Sequence, residues 1–96
     1  MTFEWDLEKA AANLEKHGVA FEVAATIFLD PLAMTFFDPA HSVEEHREIT
    51  IGHTSGGDCL FVAHCEREGR VRIVSARLAT RPERVQYEEG DFDSDS

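Results

Sequence analysis

The sequence predicts an α+β domain in which two helices precede a four-stranded antiparallel sheet and a third helix closes the chain. Three observations carry this. Apolar residues recur at helical spacing up to Leu29, the period drops to two from Leu32 onward, and Thr80-x-x-Glu83 opens a last helix with a capping box.

Asp6 is a good N-cap, Glu8 sits in the first turn where the helix dipole favours acid, and Lys16 and His17 occupy the last turn before Gly18. Leu7, Ala10, Ala11 and Leu14 form the apolar stripe of this first helix, and Phe3 and Trp5 are expected to pack across its start. A second short helix is predicted over 20–29, with Phe21, Ala24, Ala25 and Phe28 on one face, ended by Asp30-Pro31.

Strands are predicted near 32–37, 46–53, 59–66 and 71–78, with a polar loop over 38–45. Turns at 54–58 and 67–70 are short, so their strands are antiparallel neighbours. The run from Cys59 to Glu66 is apolar on both faces and marks a central strand. The closing helix carries Pro82 in its first turn and is expected to stop at Gly90. Residues 3–90 are expected to form one domain and 91–96 an acidic, disordered tail.

Composition narrows the function. The longest apolar stretch, 19–29, is interrupted by Glu22 and Thr26, which excludes a membrane span, and the N-terminus has no export signal. Cys59 and Cys65 lie six apart in one strand, roughly 20 Å, too far to pair. Two lone thiols and no leader point to the cytoplasm. The net charge of −10 is unevenly placed. Five acids and no base fall in residues 88–96, whereas residues 67–84 hold six arginines against two glutamates. Such a patch on an acidic body can still focus a phosphate.

Several segments resemble the BrnT toxin family: Phe3-Glu4-Trp5-Asp6, Lys9, Asn13, Lys16-His17-Gly18, Phe21, Ala24-Ala25 and Phe28-x-Asp30-Pro31. The similarity continues through Asp38, His41-Ser42, Glu45-x-Arg47, Ile51-Gly52 and Val62-x-His64. It closes with Arg72-Ile73-x-Ser75-Ala76-Arg77-x-Ala79-Thr80 and Glu83-Arg84-x-x-Tyr87-Glu88. The resemblance spans residues 3–89. It implies a RelE-like fold of order α-α-β-β-β-β-α, an endoribonuclease that halts translation, and a cognate BrnA-type DNA-binding antitoxin, with a toxin–antitoxin heterotetramer as the family expectation. The chain departs from its relatives at Leu78 and near Gly57-Asp58, where many carry a basic residue. Those departures favour an alternative, a weak or inactive antitoxin-binding protein that acts as co-repressor of its operon.

RNA cleavage without a metal needs a base for the ribose 2′ proton, cations for the phosphate, and an acid for the leaving oxygen. His64, Arg77, Arg47 and His17 are the candidate catalytic residues, and Lys16, Arg72, Arg81 and Arg84 the candidate RNA-phosphate contacts. Strict alternation puts Ile73, Ser75 and Arg77 on one face of the last strand and Arg72, Val74 and Ala76 on the other. Arg47, His64 and Arg77 are expected to converge at one end of the sheet. Structural roles stay open beside these. His64, between Ala63 and Cys65, also fits a core position, His17 a helix cap, Arg77 an ion pair with Glu83, and Tyr87 and Trp5 packing. No metal or cofactor motif is present: in His41-Ser42-Val43-Glu44-Glu45-His46 the histidines are five apart, not four as in H-E-x-x-H.

Overall fold

Asp6 opens the first helix as predicted, its Oδ1 accepting from the backbone N–H groups of Glu8 at 2.8 Å and Lys9 at 3.1 Å. Helix α1 runs Leu7–His17 and ends at Gly18, whose φ of 71° is left-handed and open to glycine without strain. The computed structural model describes residues 1–41 and 46–89. The middle of the expected polar loop (42–45), Gly90 as helix stop and the expected tail (91–96) lie outside them.

The buried face of α1 is not the predicted one. Leu7 and Leu14 are 79% and 52% exposed, and Asn13 takes the inward position. The reason is where α1 lies, against the edge of a strand whose backbone needs hydrogen bonds more than apolar cover. Asn13 Nδ2 donates to the carbonyls of Ala76 at 2.8 Å and Val19 at 2.9 Å, and its Oδ1 accepts from the Ala76 N–H at 3.1 Å. Ala10 is the apolar residue of the stripe that packs on the core.

The second predicted helix divides. Helix α2 covers Phe21–Ala24 and continues as a 3-10 helix over Ala25–Leu29. Its fully buried residues, Phe21, Ala24 and Ile27, are three apart, the period of the tighter helix. Asp30 ends it and accepts from the Leu32 N–H at 2.9 Å.

Five strands follow the order β1-β5-β4-β3-β2 in one sheet: β1 Phe3–Glu4, β2 Met34–Phe37, β3 Arg47–His53, β4 Cys59–Arg67 and β5 Arg70–Leu78. β2 to β5 are antiparallel neighbours, as predicted. The expectation of a four-stranded antiparallel sheet is corrected by β1, which pairs parallel to β5 through Phe3↔Val71 and Glu4↔Arg72 and makes the sheet mixed. Two residues are too few to show a period. The Phe3 ring meets Phe28 at a tilt with centroids 5.2 Å apart, and Trp5 meets Phe21 edge-on at 6.0 Å, so both pack on the α2 side.

The turns follow their local chemistry. Thr54 Oγ1 accepts from the N–H groups of Gly56 and Asp58 at 3.2 and 3.1 Å and closes the β3–β4 hairpin. Glu68 and Gly69 both have positive φ, the pair of values a two-residue type I′ hairpin requires. The capping box forms: Glu83 Oε1 accepts from the Thr80 N–H at 2.8 Å and Thr80 Oγ1 from the Glu83 N–H at 3.4 Å, starting helix α3 at Arg81–Glu89.

Two apolar clusters cover the two faces of the sheet. Val19, Phe21, Ala24 and Ile27 meet Leu60, Val62, Ile73 and Ala76 on one face. Tyr87 of α3 and Ala79 meet Ile49, Ile51, Cys59 and Ala63 on the other. Strict alternation in β5 fails at one place. The register passes from Ala63↔Ser75 to His64↔Ile73 and leaves Val74 as an extra residue. Ile73 and Ala76 therefore join the same core, while Arg72, Ser75 and Arg77 share the opposite face beside Cys65, Ala63 and Phe61. Among the described residues no helix is long and apolar enough to cross a membrane.

Candidate functional site

The side of α1 that meets β5 carries Lys9, Ala12, Asn13 and Lys16, at the i, i+3, i+4, i+7 positions of a single helical face. Asn13 fixes this face to Ala76, and β1 covers β5 only at Val71 and Arg72. Between those two attachments the β5 edge is open where the bulge places Val74 and Ser75. The result is a groove of about 210 Å³ lined by Lys9, Ala12, Asn13, Lys16, His17, Val74 and Ser75. No carboxylate lines it. In a chain of net charge −10 this is a local reversal of sign. Two ammonium groups, an imidazole and a hydroxyl around a shallow groove suit a phosphodiester: the cations balance its charge and the imidazole offers a nitrogen that can give or take a proton.

Of the expected site residues, the groove brings together Lys16 and His17. Lys9 and Ser75 were not among the candidates, although the polar i, i+3, i+4, i+7 pattern of α1 is visible in the sequence. Arg72 and Arg77 share a sheet face with Ser75 but are committed to acids. Arg72 Nη1 donates to Glu4 Oε2 at 3.1 Å. Arg77 grips Glu83 with two hydrogen bonds, Nη1 to Oε1 at 2.9 Å and Nη2 to Oε2 at 3.0 Å, and lies 4.0 Å over the Phe61 ring. Burial raises the Glu83 pKa, but the hydrogen bonds from Arg77 and the Thr80 N–H outweigh it and hold the carboxyl below its usual range. Arg81 is exposed at the start of α3, and Arg84 Nη1 reaches the Ala79 carbonyl at 3.5 Å.

The expected convergence of Arg47, His64 and Arg77 does not occur. Arg47 pairs with Cys65 and Arg77 with Phe61. These partners are on one face of β4 but four residues apart, about 13 Å. His64 points to the other face. It is 5% exposed, its Nε2 lies 2.7 Å from Thr50 Oγ1, and its ring meets Phe28 edge-on at 5.0 Å. Burial lowers its pKa and keeps the ring neutral, so it holds the place of a core histidine.

A second polar cluster ties α3 to the rest of the fold. Tyr87 donates its hydroxyl proton to Asp30 Oδ2 at 2.5 Å, and Asp30 Oδ2 also accepts from the His53 N–H at 2.9 Å. Because the hydroxyl hydrogen of Tyr87 goes to Asp30, His53 Nδ1, 3.0 Å away, is the donor to Tyr87 Oη. Burial and the neighbouring Asp30 push the Tyr87 phenol above its usual range. Tyr87 is 7% exposed and packs within the apolar cluster on the α3 side of the sheet.

Helices on both faces of a mixed sheet, with a cationic groove along the part of β5 that β1 leaves uncovered, define a small α+β protein whose cationic groove suits an anionic ligand. Residues 5–83 match the family model described as the ribonuclease toxin BrnT of a type II toxin–antitoxin system, and the chain belongs to that family. The crystal structure of the Brucella abortus ribonuclease toxin BrnT is similar in fold, with a TM-score of 0.67 and 24% identity over 84% of this chain and 99% of that one. No curated protein sequence matches.

Proposed function

We propose that this chain is the toxin of a type II toxin–antitoxin system, a metal-independent endoribonuclease that acts on RNA in the cytoplasm at the α1–β5 groove. The observation that carries this is a groove with Lys9, Lys16 and His17 in its lining and no acid, on a strongly acidic chain. Lys9 and Lys16 hold the non-bridging oxygens of the scissile phosphate. The 2′ oxygen attacks phosphorus and loses its proton, and the 5′ oxygen leaves and gains one. This yields a 2′,3′-cyclic phosphate and a 5′ hydroxyl. His17, at the helix end, exchanges one of these protons. Arg72 and Arg77, on the face beside Ser75, extend the cationic path once RNA competes with Glu4 and Glu83 for them. Arg81 and Arg84 extend it from α3, and Arg47 from the far end of the same face. The partner is a BrnA-type DNA-binding antitoxin, assembled with the toxin as a heterotetramer.

A second reading has its own observation. Arg72 and Arg77 are already neutralised by acids, and the exposed Leu78 next to Arg77 adds an apolar side chain to the surface. Both features suit a catalytically weak chain that binds the antitoxin and helps it repress the operon.

Purified protein incubated with a labelled oligoribonucleotide in EDTA separates the two. Cleavage in EDTA that falls about 100-fold in His17→Ala and about 10-fold in Lys16→Ala, both folded, supports the proposal. Cleavage that requires added metal removes the metal-independent claim. Intact RNA under all conditions, with no growth arrest on induction, replaces the enzyme by the co-repressor.

A further inference from the structure

His17, the last residue of α1, belongs to two concavities at once. It lines the cationic groove with Lys9 and Lys16, and it also lines a groove of about 390 Å³ that neither lysine reaches. This second groove is built differently. Leu14, Val23, Leu60 and Leu78 give it apolar walls, and Asp58 is the acid in its lining. Leu14, Val23 and Leu78 are 52%, 45% and 58% exposed. Asp58 joins its turn through the backbone: its N–H donates to Thr54 Oγ1 at 3.1 Å and its carbonyl accepts from the Thr54 N–H at 2.8 Å. Among the described residues the Asp58 carboxylate has no hydrogen-bond or ion-pair partner, which leaves both of its oxygens to a ligand.

Charge sorts the parts of a nucleotide between the two grooves. A phosphate is repelled by Asp58 and held by Lys9 and Lys16. A base is neutral and flat, and apolar side chains cover its faces. A nucleotide that reaches from one groove into the other passes His17, which the ribonuclease reading places at the scissile phosphate.

The carboxylate then chooses among the bases, because it only accepts hydrogen bonds. Guanine presents two N–H donors side by side on its Watson–Crick edge, one for each carboxylate oxygen. Adenine and cytosine set an amino group beside a ring-nitrogen acceptor. Uracil flanks its single N–H with two carbonyl oxygens. Each of these three meets Asp58 with a lone pair. Resting on the ribonuclease reading, we propose that this groove is the base subsite of the cleavage site, that it takes a guanine beside the scissile phosphate, and that Asp58 selects it.

The test uses the full chain and the four nucleoside 3′,5′-bisphosphates, which carry a phosphate on either side of the base. Binding is followed by methyl and amide NMR shifts, and cleavage of four labelled oligoribonucleotides differing in one base is measured in EDTA. Guanosine 3′,5′-bisphosphate is expected to bind at least ~10-fold tighter than the other three, with shifts centred on Leu14, Val23 and Leu78. Asp58→Asn separates recognition from electrostatics. Loss of a negative charge alone strengthens the binding of every polyanion, whereas loss of the paired acceptors weakens guanine alone. The folded variant is expected to bind the guanosine probe ~10-fold more weakly and the other three no more weakly than wild type. Glu22→Gln, which removes an exposed acid outside the lining, is expected to keep the guanine preference. Equal binding of the four, no binding, tighter binding of all four in Asp58→Asn, or loss of the preference in Glu22→Gln overturns the proposal. Cleavage that persists under any of those outcomes leaves the ribonuclease reading standing. Guanine-selective binding that Asp58→Asn abolishes, without cleavage of any oligoribonucleotide, keeps the guanine site and removes the ribonuclease reading.

Discussion

The carboxamide of Asn13 pairs with the backbone of Ala76 much as a neighbouring strand would, accepting from its N–H at 3.1 Å and donating to its carbonyl at 2.8 Å. A third bond to Val19 O makes one side chain the joint between α1, the β5 edge and the segment leading into α2. The groove walls hold their relative positions because of this joint.

Asn13→Ala leaves one buried N–H and two carbonyls without their partner. Chemical denaturation is expected to show a loss of about 2–4 kcal/mol. Asn13→Asp keeps the acceptor but loses the donor to both carbonyls, and should be no less damaging at neutral pH. A change within about 0.5 kcal/mol for Asn13→Ala would mean that water replaces the side chain and that the joint is not structural.

Arg77 and Glu83 link β5 to the first turn of α3. The Glu83 carboxyl titrates below its ordinary value of 4.5, since the Arg77 and Thr80 bonds outweigh the opposing effect of burial. In the unfolded chain Glu83 takes up its proton first as pH falls. Its contribution is therefore present above about 4.5 and is lost as pH falls through the lower folded value. Wild type should lose more stability across that window than Glu83→Gln. A double-mutant cycle with Arg77→Ala should return a coupling on the order of 1 kcal/mol. Parallel stability–pH curves for wild type and Glu83→Gln would contradict this.

His64 works at a different pH. Burial lowers its pKa from 6.5, so the unfolded state binds a proton that the folded state refuses. Stability is complete above pH 6.5 and declines as pH falls from there to the folded value. His64→Leu should flatten the curve in that range, and Thr50 keeps its other partner, Thr35 Oγ1 at 2.7 Å. A catalytic His64 would instead abolish RNA cleavage on substitution. The structure predicts that any folded His64 variant cleaves at a rate close to wild type.

Tyr87→Phe removes the proton given to Asp30 and the acceptor of His53 Nδ1. The expected cost is about 1–2 kcal/mol by urea denaturation, with amide exchange in α3 faster than in β4. Uniform acceleration across the sheet would show that α3 does not open separately.

Local chemistry made much of the fold legible. Asp6, Gly18, Thr80 and Glu83 state their roles within four residues of where they act, and so do the hairpin turns. The missing parts depend on distant partners. β1 is two residues long and acquires its structure only by lying beside Val71 and Arg72. The inversion of α1 could not be seen in its own periodicity, because Asn13 is buried to serve a strand 63 residues away. At the candidate site, Lys16 and His17 were visible as the basic end of a helix. The joining of Arg47, His64 and Arg77 was inferred from alternation, and alternation alone fixes neither the distance along a strand nor which face is closed.

The bulge at Val74 works as a frame shift within a single strand. Residues 70–73 are in phase with β1 and the closing turn, and residues 75–78 are in phase with α1 and α3. Each half keeps its own frame, and one extra residue joins them. Deleting Val74 would restore strict alternation with Ile73 and Ala76 still on the core face and Arg77 still on the opposite one. What the extra residue adds is therefore not a change of face but a local bend of β5 beside the groove that Val74 and Ser75 line.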